Sequence, residues 1–377
     1  MIYLDNAATT FPKPRSVGRE MIRCLNGYAG NPGRGSHPLS MKAAEAVFDA
    51  RQTLARFFRV GSEENVIFTK SATEALNLSL FGAMGTKRGR IITTNLEHNS
   101  VLRPLEKLKN KGFEIDVIDA TGSDDEVVSS LTSAIRSDTR AFVCIHASNV
   151  CPRVLPVKRL GKICREKGVL FILDAAQSAG IYDVDVNDDG VDILCVPGHK
   201  GLFGPEGTGA AVFRDGFDFS SLEPHTFGGT GINSADADQG RFPPESFEAG
   251  TLAVPSIVGL GEGVKYVMKT GTDNIRRHEA ALYRYAKSEL TELGAVIYGD
   301  FSDGSVLSFN LPGLFASDIA ARLGRMSICV RAGMHCAPDA HTALGTGGDA
   351  VRLGFSPMNE KKDVAALIDA LRKIRSE

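Results

Sequence analysis

Several stretches of this chain carry side chains that could do chemistry together, and each stands where an apolar run gives way to polar residues. Lys200 lies in Pro197-Gly198-His199-Lys200-Gly201-Leu202-Phe203-Gly204-Pro205, among three glycines and two prolines. Stiff, close-approaching backbone around an amine that burial pushes toward neutrality suits a Schiff-base lysine; a solvated loop lysine is the bland alternative. Asp174 follows the five apolar residues Val169 to Leu173. A carboxylate emerging from such a run is costly unless a cation meets it, though a helix N-cap explains it equally well. Thr69-Lys70-Ser71-Ala72-Thr73-Glu74 opens an apolar-periodic helix, and free N–H groups at a helix start suit a phosphate. Ordinary capping is the alternative reading there too. Glu97-His98-Asn99-Ser100 and His146-Ala147-Ser148-Asn149 add imidazoles and amides. A phosphate cup, a ring to stack, a carboxylate for a ring nitrogen and a lysine for an aldehyde are together the fittings of pyridoxal 5'-phosphate.

Chemistry at strand ends needs a sheet to hold it. Between residues 40 and 215 short β-branched runs alternate with helical patterns, the signature of a largely parallel α/β sheet. Runs at 65–68, 90–93, 114–118, 141–146, 169–173, 192–196 and 209–213 predict seven strands flanked by helices, and the doubly apolar 169–173 run predicts a central one. Ligands in such sheets bind at the carboxyl ends of the strands, where the residues above fall. Past Pro243-Pro244 the pattern changes to a long helix near 273–293, strands near 295–298 and 305–310, and a last helix with Val364, Leu367, Ile368, Leu371 and Ile374 at helical spacing. A length of 377 residues favours two domains. The expected division is a large cofactor-binding α/β domain over 16–255 and a smaller α+β domain made of 1–15 with 256–377.

Composition narrows the function classes. With 43% hydrophobic and 23% charged residues, bulk disorder is excluded. Lys and Arg number 43 against 45 Asp and Glu, giving −2 without a basic stripe, so nucleic acid is not an expected partner. No long apolar run and no leader-like start is present, so no membrane contact and a cytoplasmic location are expected. The seven cysteines are widely spaced and lack a C-x-x-C pair, which argues against a disulfide framework or a structural metal.

The ordered series Tyr3 to Thr10, Asn31 through His37, Thr69 to Ala75, Glu97-His98, His146 to Asn149, Asp174 to Gln177, Gly198-His199-Lys200, Phe247-Glu248-Ala249-Gly250-Thr251 and Arg331-Ala332-Gly333-Met334-His335-Cys336 resembles the class V aminotransferases. Within that group it looks like the cysteine desulfurases, with selenocysteine lyases nearby. The resemblance implies the type I fold of pyridoxal-phosphate transferases. It implies that Lys200 joins the cofactor, Asp174 holds the pyridinium proton, His98 stacks on the ring, and Gln177 and Asn149 bond near the phenolate oxygen. The phosphate would be held by Ala72 and Thr73 with the amides beside them, by His199, and by Thr251 from a second subunit, making a homodimer with a shared site. Arg352 would clamp the substrate carboxylate, with Ala7 and Asn31 also at the substrate. Cys336 would be the persulfide-forming nucleophile, and its sequence neighbours Arg331 and His335 are cationic types that favour a thiolate. The sequence departs from the pattern at Pro197 and Ala72, where hydroxyl residues are usual, and at Met334, which leaves His335 as the imidazole beside the nucleophile. The Arg-x-Gly-x-His-Cys setting resembles the second type of desulfurase, while Asn31-Pro32 resembles the first; the second type is the one expected.

The reaction so implied converts L-cysteine, or L-selenocysteine, to L-alanine and passes sulfur from Cys336 to an acceptor protein. His98 would be a proton shuttle. Three alternatives stand beside it: a selenocysteine lyase, a class V aminotransferase or lyase in which Cys336 is structural, and a non-catalytic dimeric scaffold.

Overall fold

Apolar runs bounded by turn residues become the strands of one central sheet. The computed structural model describes residues 1–33, 35–85, 88–232, 235–299, 301 and 303–376, so Arg34 of the Asn31–His37 stretch lies outside the described residues. Across the sheet the order is Val66–Thr69, Gly209–Phe213, Ile193–Pro197, Leu170–Asp174, Thr139–Ile145, Arg90–Thr94 and Glu114–Ile118. Only Gly209–Phe213 runs antiparallel to its neighbours. The chain thus has the expected type I architecture, a mostly parallel seven-stranded sheet.

The alternation of strand side chains divides its core in two. Phe142, Cys144, Phe171, Leu173, Leu194 and Val196 face one layer, covered by the helices Pro38–Phe57, Val157–Lys167 and Val254–Thr270. Ala141, Val143, Ile172, Ile193 and Cys195 face the other, under Ala72–Met84 and Asn99–Lys109. Both faces are dry, which is why the central strands read as unbroken apolar runs. Ile257 to Val264 pack into the first layer, on the sheet side of the boundary expected at 255.

A second sheet, ordered Arg331–Gly333, Ala350–Gly354, Val306–Asn310 and Val296–Tyr298, is antiparallel. The helices Thr272–Glu292, Ala316–Arg325 and Lys361–Ser376 close over it. The stripe read from the last helix, Val364 to Ile374, is wholly buried there. At about 1.5–3 kcal/mol per buried aliphatic side chain, an upper bound, that stripe anchors the carboxyl-terminal helix. The first residues join this unit: Ile2–Tyr3 pairs in parallel with Ile328–Cys329, and Leu4 enters its core. None of the described helices is long and apolar enough to cross a membrane.

Candidate active site

Register puts the chemistry in place. Asp174 is opposite Ile145 on one side and Cys195 on the other, and Pro197 ends the next strand two residues on. Three central strands therefore finish together at the carboxyl edge of the sheet, and a cleft of about 210 Å³ opens there. The segment from Asp5 to Lys13 crosses the rim and pins the lysine loop. Thr10 N–H donates to the His199 carbonyl at 3.1 Å, Thr10 Oγ1 donates to the Lys200 carbonyl at 3.1 Å, and Lys13 Nζ donates to the His199 carbonyl at 2.5 Å.

With its backbone fixed, Lys200 sends its amine into the cleft, where it donates no hydrogen bond among the described residues. Burial, and then the Arg352 guanidinium, bring its pKa down to about 8, against an upward pull from Asp174. Such an amine is neutral far more often than an exposed one at neutral pH. Asp174 is 3% exposed, and its Oδ1 accepts from Ala176 N–H at 2.9 Å. Burial raises its pKa, while the Ala176 amide and Lys200 oppose the rise. The cation missing from its sequence neighbourhood is thus supplied in part by Lys200.

The opposite end of the cleft is the start of the helix Ala72–Met84. Ser71 caps it through Glu74 N–H at 3.2 Å, and the N–H groups of Ala72 and Thr73, in the first turn, have no carbonyl one turn earlier to accept them. Gly209 presses against this turn: a Cβ there would lie 2.7 Å from the Ser71 carbonyl carbon. A positive helix end, a carboxylate and an unengaged amine in one cleft fit pyridoxal 5'-phosphate by charge at each point. Ala72, in place of a hydroxyl residue, leaves that end to backbone amides, as does Pro197.

His98 caps the helix Asn99–Lys109 with its Nδ1, which accepts Ser100 N–H at 3.1 Å and lies 2.9 Å from Ser100 Oγ. Because the amide can only donate, Nδ1 carries no proton and Nε2 does. Burial, reinforced by Lys200, Arg331 and Arg352, holds the ring neutral, with a pKa down to about 4. Ser100 Oγ in turn lies 2.7 Å from Thr73 Oγ1, so the ring and the helix start are linked.

Arg352 is 1% exposed and already holds partners: Nη2 donates to Asp5 Oδ1 at 3.0 Å and Nη1 to the Asn149 carbonyl at 3.1 Å. Nε is buried without a partner. Asn149 Nδ2 donates to the His335 carbonyl at 2.7 Å, and Gln177 Nε2 to the Ala7 carbonyl at 2.9 Å. These two amides therefore fasten the rim segments to the cleft floor, and each keeps one further N–H.

Cys336 is exposed, one residue past His335, which lines the cleft. Its carbonyl accepts Asn99 N–H at 2.7 Å, next to His98, and Arg331 Nη2 approaches its Sγ at 3.7 Å. Both His335 and Cys336 adopt left-handed backbone, with φ of 49° and 58°. One expectation needs correction. His335 is no cation beside the thiol: burial, with Arg352 and His341 nearby, drives its pKa down to about 3, and its ring nitrogens point to His341 and the Arg331 carbonyl. Arg331 alone of that pair offers charge to the sulfur.

The cleft brings together Ala7, Ala72, Thr73, His98, Asn149, Asp174, Gln177, His199, Lys200 and Arg352. Its lining does not include Cys336, which follows the lining residue His335, nor Thr251 or Asn31. Thr251 is exposed in a separate depression with Phe68, Lys70 and Phe247. Asn31 is exposed, and its carbonyl accepts Ser40 Oγ at 2.6 Å. Sequence reasoning did not single out Asp5, Ser100 or His341; the first two stand inside or beside quoted motifs, whereas His341 carries no signal beyond being a histidine.

The class V aminotransferase family model matches residues 2–367. A probable cysteine desulfurase of Methanothermobacter thermautotrophicus is 33% identical over 99% of this chain and 94% of its own. A cysteine desulfurase of Haloferax volcanii is 33% identical over 100% of this chain and 89% of its own. Among solved structures, an apo cysteine desulfurase from Thermococcus onnurineus NA1 superposes with a TM-score of 0.91 at 34% identity, covering 99% of this chain and 94% of that one.

Proposed function

The chain belongs to the class V aminotransferase family, and from that premise we propose that it is a cysteine desulfurase, converting L-cysteine to L-alanine and leaving a persulfide on Cys336 for a sulfur acceptor. The observation that carries this reading is a buried lysine amine lining the cleft, with a thiol on the segment beside it whose own backbone is bonded next to His98. Pyridoxal 5'-phosphate, when bound, supplies an aldehyde for amines and a ring that takes up an electron pair from the substrate Cα. Ala72, Thr73 and His199 would hold its phosphate, Asp174 its ring nitrogen, and Asn149 and Gln177 its phenolate side, with His98 against the ring face.

The chain's own residues then divide the work. Arg352 orients the substrate carboxylate through N–H groups not engaged by Asp5 and Asn149, a planar fork suited to that task. Ala7, on the pinned rim segment, bounds the substrate. Lys200, released as a neutral amine, removes the Cα proton and later returns one. Cys336 attacks the substrate sulfur as a thiolate: a new S–S bond forms, the C–S bond breaks toward carbon, and that carbon takes a proton to become alanine's methyl group. Arg331 is the cation at the attacking sulfur. His98, which lines the cleft with its proton on Nε2, would relay a proton there as well as stack on the ring.

A homodimer completes the reading. Ile22 and Leu25 on the helix Arg15–Gly27, and Leu39, Met41 and Phe48 along Pro38–Phe57, are large apolar side chains left in the open. Covering them with a second copy would allow the exposed Thr251 to serve the partner's phosphate seat. The test is incubation of the purified protein with L-cysteine and a reductant. Alanine and sulfide should form in equal amounts, and Cys336→Ala should abolish both while sparing turnover of selenocysteine. Amino transfer to an added keto acid, indifferent to Cys336→Ser, would overturn the assignment.

A further inference from the structure

Behind the Cys336 segment lies a pair of buried imidazoles that the reaction does not use. His335 and His341 are 2% and 1% exposed, and their rings stack at 5.3 Å with 18° between planes. His335 Nδ1 lies 3.2 Å from His341 Nε2, His341 Nδ1 lies 2.5 Å from Thr346 Oγ1, and His335 Nε2 faces the Arg331 carbonyl at 3.5 Å. Thr346 Oγ1 also accepts Gly348 N–H at 3.1 Å.

The two ends of this chain fix its direction. The Arg331 carbonyl can only accept, so His335 Nε2 carries the proton and His335 Nδ1 is bare. His341 Nε2 must then be the donor between the rings, which leaves His341 Nδ1 bare and receiving the Thr346 hydroxyl proton. Every link from the Gly348 amide to the Arg331 carbonyl thus has one donor and one acceptor, with both rings neutral. Burial lowers the pKa of both imidazoles and keeps them in that state.

We propose that His341 is a positioning residue which, through His335, holds the Cys336 segment against the cleft. The need for such a brace is visible in the backbone. His335 and Cys336 are consecutive non-glycine residues in the left-handed region, which persists only where surroundings enforce it. The Asn149 and Asn99 bonds hold the two carbonyls from the front, while the His341 N–H holds the His335 ring from behind. The same ring ends on the carbonyl of Arg331, whose guanidinium meets the thiol. Only the use made of that thiol rests on the desulfurase reading.

The test uses the full-length cofactor-loaded protein with His341→Leu, His341→Gln, Thr346→Val and Thr346→Ser. Hydrogen–deuterium exchange is followed in peptides covering 97–101, which contain the Asn99 amide, and 331–337; kcat and KM for L-cysteine are measured beside it. His341→Leu should raise exchange in both peptides by about tenfold and lower kcat by about tenfold with KM changed less than about twofold, the loss of one buried hydrogen bond. His341→Gln, whose amide N–H reaches the place of the imidazole Nε2, should recover most of both. Thr346→Val should act in the same direction more weakly, with Thr346→Ser like wild type; this pair decides if His341→Leu fails to fold. Wild-type exchange and kcat in His341→Leu or Thr346→Val, or a His341→Gln no better than His341→Leu, would overturn the brace. A wild-type protein that makes no alanine would sink the desulfurase reading, while the exchange data would still judge the brace.

Discussion

Replacing Arg352 by Gln should carry Lys200 back toward an ordinary lysine. The Lys200 amine stands at about 8 instead of 10.5, first because it is buried and next because Arg352 repels its proton. At pH 7 a pKa of 8 leaves about one amine in eleven neutral, against about one in three thousand for an unperturbed lysine, a factor of roughly 300. Removing Arg352 deletes the largest charge contribution, and it also frees Asp5, whose carboxylate pulls the Lys200 pKa upward. Both changes have the same sign. A rise of about one unit, worth 1.36 kcal/mol, cuts the neutral fraction at pH 7 about tenfold. The assay is uptake of pyridoxal 5'-phosphate by the cofactor-free protein, followed by the visible absorbance of the lysine-linked cofactor across pH 6 to 10, with Lys200→Ala as the blank. Wild-type uptake should climb with pH and level off near pH 8, because only the neutral amine attacks an aldehyde. Arg352→Gln should be about tenfold slower at pH 7 and should go on climbing past pH 8. An unchanged midpoint would refute the assignment of Arg352 as the charge that tunes the lysine.

Other outcomes follow from the same geometry. Gly209→Ala, whose new Cβ meets both the Ser71 backbone and the Val196 carbonyl oxygen of the next strand at 2.7 Å, should weaken pyridoxal 5'-phosphate binding at least about tenfold in equilibrium titration and lower the midpoint of thermal unfolding followed by circular dichroism. Glu97 is fully buried with a pKa pushed up to about 8, so the native state holds a proton that the unfolded chain loses above about 4.5. Glu97 should therefore contribute a fall of about 1.4 kcal/mol per pH unit between roughly 4.5 and 8, and the difference between wild type and Glu97→Gln in denaturant unfolding should show that slope. Mixed dimers of Lys200→Ala and Thr251→Glu, each inactive alone, should recover about a quarter of wild-type activity if the partner supplies Thr251, and none if each chain is self-sufficient.

The sheet was legible because its central strands are buried on both faces and so cannot alternate with polar residues. Lys200 and Asp174 were legible for a related reason, since polar residues at the ends of such strands have only one edge of the sheet to occupy. What could not be read depends on distance along the chain or on burial. Asp5 and Arg352 are 347 positions apart, and nothing local announces their pairing. His335 looks cationic beside Arg331 in sequence; its neutrality comes first from its own burial, then from Arg352 and from His341 on the short helix Pro338–Ala343. The packing of Val254–Thr270 against the first core was hidden by the turn-rich stretch before it, which reads as a boundary. Thr251 is exposed and lies in a depression separate from this chain's cleft, so its expected place at a phosphate came from the resemblance and not from the residues around it.

The most direct measurement is a single turnover with sulfur-labelled L-cysteine, followed by mass spectrometry of the cysteine-containing peptides. One labelled sulfur per subunit should appear on the Cys336 peptide and on none of the other six cysteines, with one alanine released. Alanine released while Cys336 stays unlabelled, or at an undiminished rate from Cys336→Ala, would contradict the role given to that thiol.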